Sequence, residues 1–240
     1  MSETDRGQSE LLGYFLIFNL VVLTILLVGA TGIVGLDNAQ DFQRTTSAQQ
    51  GVSALANDVD DVARRGAPSR TTEIRLADAS LSLERTTNIT VRTDNASIEN
   101  ETVQLHSLAY DSGSGTRIVY SSGAVLRADG ENSVMVREPN FLLGNDTVIV
   151  PIVTLSPADG DTVGGDTTVS VETADAGTEV VGAGEVDMVT IEVTSPHATA
   201  WYRYLDDDAE CDPPDSGTVT CRIEADRVSV TVDRIDVRLE

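Results

Sequence analysis

Two histidines, His106 and His197, are the only imidazoles in a chain of 240 residues. A hydrolase of the serine or cysteine type would need one of them beside a nucleophile and an orienting carboxylate. His106 falls in an alternating, strand-like run and reads as a packed or surface residue rather than a base. Ser112 and Ser114, interleaved with Gly113 and Gly115, lack the strand-to-helix setting of a nucleophile elbow. No glycine-rich phosphate loop, zinc-ligand spacing or dinucleotide fingerprint occurs. The sequence therefore predicts a protein that is not an enzyme, with no catalytic residues, no cofactor and no metal centre.

Other residues suggest different chemistry. Cys211 and Cys221, ten positions apart around Pro213, Pro214, Ser216 and Gly217, have the spacing of a disulfide closing a small loop; such a bridge contributes a few kcal/mol outside a reducing compartment. No further Cys or His lies near enough to make them metal ligands. Four Asn-X-Ser/Thr sequons, at Asn88, Asn95, Asn100 and Asn145, are candidate glycosylation sites in a secreted domain, or plain turn formers. Acidic groups at Asp159 and Asp161, at Asp206, Asp207 and Asp208, and at Glu210 and Asp212 have carboxylates for Ca²⁺ but not the spacing of an EF-hand loop. Solvation of an acidic surface explains them more cheaply. Trp201, Tyr202 and Tyr204 are the one aromatic cluster, a contact surface if exposed and core if buried; core is the expectation.

Charge narrows the partners. A formal charge of −23 repels phosphates, so nucleic acid is excluded as a partner. All sixteen basic residues are Arg. Acidic excess without Lys resembles proteins of salt-loving archaea, in which concentrated salt screens self-repulsion.

The elements that would position these residues begin with residues 11–36, which carry no ionisable side chain except Tyr14. About 26 residues make roughly 39 Å of helix, enough to cross a hydrocarbon core of about 30 Å with some tilt. Asp5, Arg6, Gly7, Gln8 and Ser9, directly before this run, resemble the class III signal peptide of archaeal type IV pilins and archaellins. The resemblance implies that a prepilin-type peptidase cuts between Gly7 and Gln8 and that the apolar helix stays on the mature protein. It also makes Glu10 a candidate assembly residue, although bacterial-type pilins carry their Glu at the fifth mature position and Glu10 would be the third. Gly29, Gly32 and Gly35 form a small-residue line, suited to close helix approach in an assembly or simply tolerated in an apolar helix.

Helical spacing continues through Val52, Leu55, Val59 and Val62, an apolar seam expected to pack on the chain's own second domain, and Gly66 with Pro68 ends it. From residue 71 the pattern is β: alternation at 73–76, 80–84, 89–92, 102–110, 117–120 and 124–127, then strand-like runs at 134–136, 148–155 (apolar throughout), 167–173, 188–194, 199–205, 219–223 and 228–239. Pro151 predicts an edge or a bulge, and a change of phase around Asp233 predicts a bulge there. The expected fold class is α+β: a long N-terminal transmembrane or amphipathic helix, then a mainly antiparallel, sandwich-like β head. The expected domains are a leader (1–7), a membrane helix (8–36), a stalk (37–67) and an extracellular head (68–240) with an internal boundary near 156–187. The expected function is a membrane-anchored, pilin-like structural or adhesive subunit whose partners are the lipid bilayer, the peptidase and similar subunits; the alternative is a tethered monomer binding sugar or a surface layer.

Overall fold

The computed structural model describes residues 4–95, 98, 100–130 and 132–240, with side-chain surroundings for all of these except 4–12 and 28–41. Its elements run α1 (Thr4–Arg65), β1 (Ser69–Arg75), β2 (Ala79–Thr93), β3 (Glu101–Asp111), β4 (Thr116–Ser121), β5 (Ala124–Asp129), β6 (Asn132–Arg137), β7 (Leu142–Leu143), β8 (Val148–Asp159), β9 (Thr162–Gly165), β10 (Thr168–Glu185), β11 (Met188–Thr194), α2 (Ala198–Leu205), β12 (Glu210–Asp215), β13 (Thr218–Glu224) and β14 (Arg227–Leu239). Strand outweighs helix, so the mostly β content corrects the expected α+β class. Two compact units divide at Met1–Arg44 and Thr45–Glu240, inside the expected stalk rather than at its ends.

In the first unit, every position from 14 to 27 is exposed. The membrane-spanning helix expected over 8–36 is corrected here, because among the described residues no helix is long and apolar enough to cross a membrane. The expected single-pass membrane location, with the head held outside the cell, falls with it.

In the second unit, the end of α1 belongs to the β core. Ala48, Val52, Leu55, Val59 and Val62, stepping by four and three, are buried in one cluster with Ile74 of β1, Leu81 and Leu83 of β2, Tyr110 of β3 and Val171 of β10. The seam is spent on the chain's own sheets. Gly66 ends the helix at φ +71°, a left-handed conformation natural to glycine, and the Ala67 amide closes back on the Asp61 carbonyl at 3.1 Å.

Five strands form one sheet in the order β1-β10-β14-β8-β7; the other runs β12-β13-β11-β2-β3-β4-β5-β6, with β9 also paired to β2. The β8/β14 pair is parallel and in unbroken register from Val148↔Val228 to Pro157↔Val237. Its first half turns Val148, Val150, Ile152, Val228, Val230 and Val232 into a second core cluster. Its second half turns Val153, Leu155, Ile235 and Val237 into the cluster that holds α1. Successive strand residues face opposite sides, so this ribbon serves one core from each face. That change of side replaces the bulge expected at Asp233. The irregularity lies instead on β10, where Asp175 to Thr178 oppose Ile235 to Asp233.

Pro151 sits where the sequence placed it. The β7 partner reaches only Ile149, and the Val153 amide, on the same side as the proline nitrogen, donates outward to Ser122 Oγ at 3.0 Å. The proline thus removes no ladder bond. Two other expectations are corrected. Residues 199–205 are not a strand but most of α2, because Ala198, Trp201 and Leu205 recur at helical spacing on its buried side. The supposed boundary at 156–187 is largely strand: the end of β8, then β9 and the 18 residues of β10.

Candidate functional site

The two histidines belong to separate hydrogen-bond networks. His106 Nε2 accepts from Arg85 Nε, and burial first, then the Arg85 charge, hold its pKa below the usual 6.5. His197 precedes α2 and is buried; its backbone amide donates to Ser195 Oγ at 3.2 Å, and Ser195 Oγ shares a hydrogen bond with Thr87. Burial, then Arg117, lower its pKa, with Glu84 opposing. Both shifts disfavour the charged imidazole. Ser112 Oγ donates to the Thr116 carbonyl at 2.7 Å and shares a bond with Ser114, which is the work of a turn former.

The acidic groups are dispersed as well. Asp159 takes Arg238 and Asp212 takes Arg222, each at 3.1 Å, while Asp206 begins the turn after α2. Among the described residues, no group of three or more His, Cys, Asp or Glu side chains is arranged to hold a metal ion.

Cys211 and Cys221 face each other across the β12/β13 ladder and are joined by a disulfide, their Cα atoms 4.0 Å apart. Asn100 and Asn145 are exposed. Asn88 lies half-buried within β2, between β3 and β11, and the Asn95 amide donates to the Glu185 carbonyl at 2.8 Å. The aromatic cluster is core: Trp201 is fully buried, stacked on Phe141 at 6.1 Å and edge-on to Tyr204 at 6.4 Å. Gly7, Gln8, Glu10, Gly29, Gly32 and Gly35, the predicted processing and assembly positions, lie outside the residues whose surroundings are described.

Two features went unread in the sequence. Asp60, beside the seam residue Val59, is buried and accepts from Arg137 and from Asn140 Nδ2 at 3.0 Å; Arg137 also donates to the Gly123 carbonyl at 2.9 Å. The acid next to an apolar seam was the available signal. The second feature is in the helical unit. From Tyr14 to Leu27 the large apolar side chains point outward on every side: Tyr14 is 76 % exposed, Phe18 67 % and Leu27 67 %. A stripe would be covered by one neighbour; a fully apolar surface needs several. Roughly a dozen such side chains at about 100 Å² each leave on the order of 1,000 Å² uncovered, above the few hundred of an ordinary monomer patch and comparable to one side of a stable protein interface. Among the described residues this is the surface with the strongest demand for a partner.

Comparison with known proteins supplies no activity to set beside this surface. No curated protein matches the chain. A family model described as a family of unknown function (DUF7289) matches residues 6–240, taking in the apolar helix and both sheets alike, and the chain belongs to that family.

Proposed function

We propose that this protein is a pilin-like structural subunit that assembles with copies of itself through its N-terminal helix. The supporting observation is the outward-facing apolar surface of residues 14–27. Second copies of the same helix are the occupant that fits. The surface carries no charge between Gly13 and Leu27, so copies whose net charge is −23 can meet there without bringing like charges into contact. Several neighbours can cover all sides at once, as a helix bundle does. In this reading a prepilin-type peptidase removes residues 1–7, leaving Gln8 as the first residue. The reading includes no membrane span.

Light scattering of the purified full chain tests it. Wild-type protein is expected to be multimeric at micromolar concentration, and the Leu16→Arg/Leu23→Arg double variant monomeric with an unchanged near-ultraviolet spectrum. A monomeric wild type would end the proposal. Intact mass of protein from its native host tests the processing step separately: a chain starting at Gln8 supports it, and one retaining residues 1–7 removes it.

A further inference from the structure

Between Gly13 and Leu27 the polar side-chain atoms belong to Tyr14, Asn19 and Thr24. Thr24 donates its one hydroxyl proton to the Leu20 carbonyl at 2.7 Å, so packing apolar neighbours around it orphans no donor. Asn19 differs. Its Nδ2 donates one proton to the Phe15 carbonyl at 2.8 Å, while an amide offers two protons and an acceptor oxygen. Among the described residues no partner meets the second proton or Oδ1. In water that costs nothing. Enclosed between apolar helices, the unmet groups cost more than a hydrogen bond is worth, unless the facing surface supplies an amide.

The facing surface that does so is the same residue of another copy. Phe15, Asn19, Val22 and Leu26 step by four, three and four along the helix, which is the spacing of a seam between paired helices. With Asn19 at the first apolar position of the heptad, two helices running parallel and in register bring Asn19 against Asn19. Antiparallel pairing through this seam sets it against hydrocarbon, and so does a bundle in which a neighbour covers it with any other face. Apart from Tyr14 and Thr24, Leu, Ile, Val and Phe cover the rest of the surface from residue 14 to 27 and favour no side. We infer that Asn19 fixes the face and the register at which two copies meet, through an amide-to-amide hydrogen bond across the parallel seam. This rests on the assembly reading above and goes beyond it by naming the residue that selects one arrangement.

Cysteine cross-linking of the full chain tests it. The described chain has no free cysteine, so a single introduced thiol reports alone. In a parallel seam, equivalent Val22 positions approach within disulfide range, and equivalent Ile17 positions, on the opposite side of the helix, do not. Oxidation of the multimer is expected to link Val22→Cys about tenfold more efficiently than Ile17→Cys, a preference worth about 1.4 kcal/mol. Adding Asn19→Leu should keep the protein multimeric and erase that preference. If both thiols link equally in the Asn19 protein, or if Val22→Cys keeps its advantage with Leu at position 19, Asn19 does not set the register, although copies still pack. If neither links and the protein is monomeric, the assembly reading fails first and this inference with it.

Discussion

Asp60 shows how much depends on one carboxylate when it is buried. It holds Arg137 and Asn140, and Arg137 in turn holds the β4–β5 turn through the Gly123 carbonyl. Asp60→Ala leaves the Arg137 guanidinium without its buried counter-charge, a loss of about 3 kcal/mol. A drop of that size in denaturant-extrapolated stability is the expected result, and a change within 0.5 kcal/mol would mean the cluster is dispensable. The histidines give a prediction in pH. The folded pKa values of His106 and His197 lie below the ordinary 6.5, so the unfolded chain binds more protons in the window from that value downward. Stability is therefore full above about pH 6.5 and falls as pH drops towards the lower folded values. The His106→Gln/His197→Asn variant should flatten the melting temperature between pH 7.5 and 5.5, whereas wild-type protein loses stability across it; equal slopes would refute the assignment.

Elements meet through equally local contacts. Ile98, in the β2–β3 connection, lies over Gly182 and Gly184 of β10; a Cβ at Gly184 would stand 3.0 Å from Ile98 Cδ1. Gly184→Val must push Ile98 away and should cost about 1–3 kcal/mol, with faster hydrogen exchange near residue 98. Unchanged exchange would show that Ile98 does not depend on that space. Contacts of this kind explain which elements were legible beforehand. Strands β11 and β13 keep one alternating buried face, and the sequence shows them. The stretch 199–205 alternates just as well, yet Trp201 and Leu205 serve a helix, because seven residues fit both periods until a core selects one. The first half of β10 shows in the sequence as a strand at 167–173, but its second half is largely exposed and interrupted by Gly177, Gly182 and Gly184, so no apolar period marks it. The phase change at Asp233 was visible, but its cause was not, since a ribbon that serves two cores from opposite faces is a property of both sheets together. The same holds for the site. The disulfide pair and the apolar helix could be read from residue types, whereas the partners of Asp60 come from positions about eighty residues away.

At the scale of the whole molecule, two surfaces with opposite demands share one chain. Acidic residues number 39 against 16 arginines, so repulsion among carboxylates opposes compactness at low ionic strength, and apart from the buried Asp60–Arg137 pair the ion pairs among the described residues are largely exposed ones of small individual worth. Raising salt from about 0.1 M to 2 M shortens the screening length from about 10 Å to below 3 Å and should raise the melting temperature. A flat or falling dependence would show that net charge is not the dominant electrostatic effect. Salt should also promote assembly, since it weakens repulsion between copies while leaving the uncharged helix surface attractive. The central claim concerns that helix surface, and hydroxyl-radical footprinting of Tyr14, Phe15 and Phe18 in the full chain, across a thousandfold range of concentration, tests it most directly. The account predicts slow oxidation of these rings in concentrated protein and rapid oxidation on dilution; equally rapid oxidation at every concentration would contradict it.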